Sequence, residues 1–323
     1  MIKAGKARGY LGLCLLIGGT LAAGQALAQD KWPSKPIRFI VPYAAGGGTD
    51  FVARTVAKKI SENVGQAVVV ENRAGANSII GIDAVARSAA DGYTIGLSTE
   101  AVVVNELIAK DQLSYNLEKD LTWVTQLVDV PFILVASKKS DIANIKDLIE
   151  KAKARPGELT YGSTGNGSSH SMAMDHLKSM TGIDMIHVPY KGVAPGLADV
   201  SGGQIDIMFT GLSSGIPLAQ SGRVTALGVS SPERSPSAPD TPTIAEQGVK
   251  GYSFQTWYGL VAPSATPPEV LNKINEAFRV ALLSDEVKKQ LEGQGLTVHP
   301  SKPDAYRRTV EETKARFVKY SKQ

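Results

Sequence analysis

Residues 37–60 read IRFIVPYAAGGGTDFVARTVAKKI, and their pattern decides the architecture. An apolar, β-branched run from Ile37 to Val41 stops at Pro42 and opens into Gly46, Gly47 and Gly48. Val52, Val56 and Ile60 then recur every fourth residue, the spacing of one buried helix face. Strand, glycine turn and helix follow one another, with Thr49 expected to cap the helix. Such a helix aims free backbone N–H groups and the positive end of its dipole into the turn, making an anion site. Glycine lets a ligand approach that backbone closely. The third glycine of a dinucleotide GxGxxG would fall on Phe51, and no Walker A lysine follows, so no cofactor is expected.

Working outward, short strands alternate with helical periods, which implies a parallel α/β sheet. Strands are predicted at Val68 to Glu71 and at Tyr93 to Leu97, with a helix from Ile79 to Arg87 between them. Ser98 and Thr99 then sit at a strand's C-terminal end, where ligands gather in such sheets. WVTQLVDVPFILVAS (123–137) is a long strand-forming run broken by Pro131, read as the first crossing into a second lobe. After a helix from Asp141 to Ala154, the opening unit repeats in outline. A strand over 159–161 leads into Gly162-Ser163-Thr164-Gly165-Asn166-Gly167-Ser168-Ser169 and a helix to Met180. Strands at 185–188, 205–209 and 224–229 complete that lobe, and YSFQTWYGLVA (252–262) carries the chain back. Thr266-Pro267-Pro268-Glu269 reads as a capping box with proline in the first turn. The division expected is lobe I at 29–125 plus 251–323 and lobe II at 126–250, with the last helix returning to lobe I.

The chain of 323 residues, 43% hydrophobic and 20% charged, is globular and large enough for two domains. Lys3, Lys6 and Arg8, the apolar run Leu11 to Ala23 and the A-x-A site Ala26-Leu27-Ala28 read as a secretory signal peptide, residues 1–28, cleaved after Ala28. That segment holds three of the 35 basic residues, none of the 31 acidic ones, and the sole cysteine, Cys14. The mature charge is then near +1, giving no reason to expect nucleic acid, and no thiol remains for catalysis, disulfides or metal. No later segment is apolar enough to cross a membrane, so an exported soluble protein is expected.

Gly211-Leu212-Ser213-Ser214-Gly215 matches GxSxG after a strand, and Asp240 and His299 supply the chain order of an α/β-hydrolase triad. A serine hydrolase on Ser213 is therefore the enzymatic alternative, and a fluorophosphonate probe would discriminate it. Against it, Pro217 and Gly222 leave room for only a turn or two of helix, and His299 precedes Pro300 in a surface connection. The four histidines lack metal-ligand spacing, so no metal is expected. His187, in an apolar strand, reads as a core residue, whereas His170 adjoins the second glycine turn. Tyr190 and Lys191 follow a strand end, where Lys191 is either an anion partner or simply solvated. Trp257 and Tyr258 on the return strand are either core packing or a cleft wall. Asp50 and Asp206 fit turn-fixing roles.

Five stretches together resemble one family: WPSKPIRFIVPYAAGGGTD (32–50), VVVENRAGANSIIG (68–81), YGSTGNGSSH (161–170), HVPYKGVAPGLADVSGGQIDIMF (187–209) and TWYGLVAPSATP (256–267). They are similar to the Bug-type periplasmic solute receptors of tripartite tricarboxylate transporters. The resemblance implies an α/β, type II periplasmic binding-protein fold, with two α/β lobes joined by two crossover strands around a ligand cleft. It also implies a monomer that takes an aliphatic or aromatic carboxylate and delivers it to integral membrane subunits. A receptor that signals instead remains open. In the family the first turn, here Tyr43 to Asp50, holds one carboxylate, and the second, here Ser163 to Ser169, holds the ligand's other end. Ser171 stands where many relatives have histidine, with His170 one place earlier. The candidate ligand-binding set is Tyr43, Gly46, Gly47, Gly48, Thr49, Asp50, Ser98, Ser163, Thr164, Gly165, Asn166, Ser168, Ser169, His170, Tyr190, Thr210 and Trp257, with no catalytic residue.

Overall fold

The alternation of apolar runs and glycine turns becomes a mixed sheet with helices on both faces in a computed structural model, which describes residues 32–320. The signal-peptide reading, Cys14 included, lies outside the described residues. The strands are β1 (Ile37–Val41), β2 (Val68–Asn72), β3 (Thr94–Thr99), β4 (Leu121–Ser137), β5 (Thr160–Ser163), β6 (Ile186–Pro189), β7 (Ile207–Gly211), β8 (Val224–Val229), β9 (Gln255–Pro263) and β10 (Thr297–Val298). The helices are α1 (Gly48–Val64), α2 (Ile79–Ala86), α3 (Ala101–Ile108), α4 (Leu117–Asp120), α5 (Ile145–Ala154), α6 (Ser169–Thr181), α7 (Val193–Gly202), α8 (Leu212–Gln220), α9 (Pro268–Leu282), α10 (Asp285–Glu292) and α11 (Pro303–Tyr320).

The strand order β2-β1-β3-β9-β4-β7-β5-β6 divides at β4, which belongs to both halves of the sheet. Its residues Leu121 to Pro131 pair antiparallel with β9, and Phe132 to Ser137 pair with β7 and β8. Pro131 therefore marks a change of partner inside one continuous strand, not the break expected. Proline cannot donate to a ladder, so it sits well where one ladder ends and another begins. Beyond these pairs and the antiparallel pairs of β9 with β3 and of β10 with β4, each half is parallel: β1 lies between β2 and β3, and β5 lies between β6 and β7. Both faces of both halves are buried in apolar clusters, as parallel sheets require.

The returning chain is tied to β4 where the halves meet. Ser230 Oγ accepts from Phe132 N at 2.8 Å and donates to the carbonyl of Phe254 at 2.6 Å. Helix α11 spans the division and is not confined to the first lobe. Its Tyr306 and Val310 pack with β4 and β9 in the first half, and Phe317 enters the apolar cluster of the second.

Two helix starts differ from expectation. The residue capping α1 is Gly47, with no side-chain bond, so Thr49 lies inside the first turn and does not cap. Likewise α9 is preceded by Pro267 with no side-chain cap, and the hydroxyl of Thr266 is buried without a partner. The Thr266–Glu269 spacing mimics a capping box one residue out of place, while Pro268 does occupy the first helical position.

Candidate functional site

Helices α1 and α6 begin on one cleft of about 1700 Å³ between the two halves of the sheet. The first N–H groups of any helix lack intrahelical partners, so both starts present donors and a positive dipole end. Gly46, Gly47, Gly48 and Thr49 line the cleft from α1, and Thr164, Asn166, Ser168, Ser169 and His170 line it from α6. Tyr43, Thr210 and Trp257 complete the expected residues that the fold brings together there.

The first turn is held open by a buried acid. Asp50 accepts from Gly46 N at 2.9 Å, from Arg54 Nε at 3.0 and 2.9 Å, and from Asn72 Nδ2 at 2.9 Å. These bonds occupy its carboxylate, so Asp50, expected as a ligand contact, lies off the cleft lining and shapes the turn instead. The Arg54 guanidinium leads the causes that lower its pKa to about 2. Because the folded value is depressed, this stabilisation is complete above the ordinary carboxylate range and is lost as pH falls toward 2. Asp50→Asn is expected to cost about 1–2 kcal/mol at pH 7, a figure reduced for the half-exposed Arg54. Denaturant melts of wild type and variant from pH 7 to pH 3 should show that gap narrowing below about pH 4.

The second turn is also hydrogen-bonded from within. Ser168 caps α6 by accepting from Ser171 N, and its hydroxyl donates to Gly165 O at 2.7 Å. Ser163, fully buried, exchanges bonds with the Gly165 backbone at 3.0 Å and lies 2.6 Å from His187 Nε2. Ser163 and Gly165 therefore brace the turn from behind, away from the cleft. His170 Nδ1 shares a 3.0 Å hydrogen bond with Thr164 Oγ1, and its ring sits 4.9 Å from Phe132. Burial lowers its pKa to about 4, so the imidazole is neutral at neutral pH.

Two other expected contacts point elsewhere. Ser98 is buried against α11, 2.7 Å from Tyr306 Oη, while its neighbour Thr99 faces the cleft and shares a 2.6 Å bond with Tyr43 Oη. Adjacent strand residues project to opposite faces, so only one of the pair reaches the cleft. The Tyr190 phenol donates to Asp199 Oδ2 at 2.7 Å and is absent from the cleft wall, as is Lys191. Trp257 does form wall, but its indole N–H is committed to Thr313 Oγ1 at 2.9 Å, leaving only a ring face.

Sequence reasoning passed over Glu100, Phe132 and Tyr161, all of which line the cleft, whereas Tyr258, weighed together with Trp257 as core packing or cleft wall, lines it as well. Tyr258 was visible as an aromatic beside Trp257, and its hydroxyl stands close to the Gly48 backbone. The GxSxG serine, Ser213, is exposed on α8, and His299 Nδ1 pairs with Asp129 Oδ2 at 2.7 Å. That pairing directs the histidine to a carboxylate other than Asp240, so the hydrolase order of residues is not matched by a triad. Among the described residues, no group of three or more His, Cys, Asp or Glu stands together as a metal site, and no helix is long and apolar enough to cross a membrane.

The chain as a whole is similar to known proteins. The family model described as the tripartite tricarboxylate transporter family receptor matches residues 52–322. Protein BugT of Bordetella pertussis is 35% identical over 289 residues, covering 89% of each chain. Among solved structures, R. palustris Rpa4515 with adipate is 34% identical with a TM-score of 0.75, covering 90% of this chain and 97% of its own. MatC (Rpa3494) from Rhodopseudomonas palustris with bound malate is 29% identical with a TM-score of 0.68, covering 88% and 98%. The fold is thus the two-lobed α/β fold of periplasmic binding proteins of this type, and the chain belongs to the receptors of the tripartite tricarboxylate transporter family.

Proposed function

We propose that the protein captures a small organic carboxylate in the cleft and hands it to the integral membrane subunits of its transporter. The carrying observation is the pair of helix starts, α1 and α6, opening onto one cleft with neutral donors. Charge-assisted bonds from backbone N–H groups and hydroxyls hold a carboxylate firmly while leaving release possible. The relatives named with adipate and malate support the same ligand class here. The residues we assign to the ligand are those of the expected set that reach the cleft: Tyr43, Gly46 to Thr49, Thr164, Asn166, Ser168 to His170, Thr210 and Trp257.

In this reading the lobes, 29–125 plus 251–323 and 126–250, close about the strands crossing near Pro131 and Gln255 and bury the ligand. The closed surface is what the membrane subunits recognise. The mature chain begins after Ala28, works in the periplasm as a monomer and catalyses no reaction. The direct test is a thermal-shift and calorimetric screen of mono-, di- and tricarboxylates, aromatic acids, nicotinate and amino acids. At least one carboxylate should bind saturably near micromolar Kd, raising Tm with ligand concentration. A flat response to every carboxylate would refute the proposal.

A further inference from the structure

The cleft wall carries an acid whose bonding is unfinished. Glu100 follows β3 and precedes α3, so its side chain stands at the edge of the first lobe. Its Oε1 accepts a hydrogen bond from the hydroxyl of Ser169, the first residue of α6 in the second lobe. Its Oε2 is buried with no partner. Across the cleft, Thr210 is fully buried and its Oγ1 also lacks a partner. Buried polar atoms are nearly always hydrogen-bonded, so two orphans in the lining of one cleft mark where ligand atoms belong.

The charges around them narrow the ligand. Glu100 and Asp175 are acidic residues of the lining, and no lysine or arginine is among the residues that form it. Arg316 favours the ionised form of Glu100 but sits outside the lining, its guanidinium 4.5 Å from the Phe254 ring and donating to Gln255 O. Burial already disfavours the charge on Glu100, and a second ligand carboxylate beside it would disfavour that charge further, with no lining cation to offset it. A ligand with an ammonium group would fill the empty acceptor and pair the buried charge.

We infer that the ligand is zwitterionic: its carboxylate sits on a helix-start turn and its protonated amine donates to Glu100 Oε2. This rests on the carboxylate-receptor reading and specifies the second functional group. Burial raises the pKa of Glu100, and a bound ammonium would return it to the ionised form. Binding an amine therefore corrects an electrostatic cost that the protein otherwise carries alone.

The test uses ligand pairs that differ only by the amine: succinate and aspartate, glutarate and glutamate, adipate and 2-aminoadipate, hexanoate and 6-aminohexanoate. Calorimetry on the mature protein at pH 7 should find at least one amine bound tenfold or more tighter than its partner. In Glu100→Gln that preference should collapse, so that the two members of the pair bind with nearly equal affinity. Carboxylate binding with no gain from the amine in any pair would overturn this inference alone. A preference that survives Glu100→Gln would overturn the assignment to Glu100. No binding by any member would overturn the receptor reading itself. The wild-type pairs decide the matter even if Glu100→Gln folds poorly.

Discussion

Replacing Gly47 by Asp should weaken carboxylate binding at least a hundredfold while leaving the empty protein as stable as wild type, or slightly more so. Gly47 caps α1 with φ −84° and ψ 174°, extended backbone open to any residue. A Cβ built there meets only the Ala44 carbonyl oxygen at 3.8 Å. Aspartate is among the best capping residues, worth a few tenths of a kcal/mol over glycine, and its charge complements the helix dipole. The same carboxylate would occupy the N–H groups that the ligand needs and repel it as well. Two unit charges about 4 Å apart interact by roughly 4 kcal/mol at an effective dielectric of 20, enough to exceed the 2.7 kcal/mol of a hundredfold loss. Gly47→Ser, a neutral cap, should lose much less. Calorimetry with the best ligand of the screen and an unliganded melt separate the two effects. If Gly47→Asp binds normally, the first turn is not the anion site.

The turn itself was legible from residues 37–60 because its signals are local. The run into Gly46 and the four-residue spacing after it name a strand, a turn and a helix without outside help. What failed was finer and had physical causes. Glycine's freedom let α1 begin at Gly48, one residue before the threonine chosen as cap. All six residues of β3 are buried, so no alternation of polar and apolar residues distinguished Ser98 from Thr99. The interior role of Asp50 depends on Asn72 and Arg54, and Tyr190 is turned aside by Asp199, pairings that only the folded chain creates. Glu100 left no trace at all. Its partner Ser169 is 69 residues away, and the chain between them carries nothing to link the two. Local turns are written in the sequence, whereas contacts across the cleft belong to the tertiary structure.

The largest effect on folding should come from one methyl group. Gly259 lies on β9, opposite Gln126 of β4 and Ser98 of β3, in the strand that returns the chain to the first lobe. A Cβ at this position would stand 2.1 Å from both Cζ and Oη of Tyr306. Tyr306 cannot move aside cheaply. It is fully buried, bonded to Ser98 Oγ at 2.7 Å, and packed edge-to-face against Trp123 and Trp257 at 5.5 and 5.2 Å. Overpacking a core usually costs 1–3 kcal/mol, and a clash with so constrained a ring should reach about 3 kcal/mol or more. For a protein of this size that corresponds to a fall in Tm of roughly 6–12 °C for Gly259→Ala. A double-mutant cycle identifies the cause. In a Tyr306→Leu background, where the ring is gone, the alanine should cost less than about 1 kcal/mol, giving a coupling of about 2 kcal/mol or more. If the two penalties simply add, Tyr306 is not what reserves this position for glycine. The ring would then be packed against β9 without dictating its sequence.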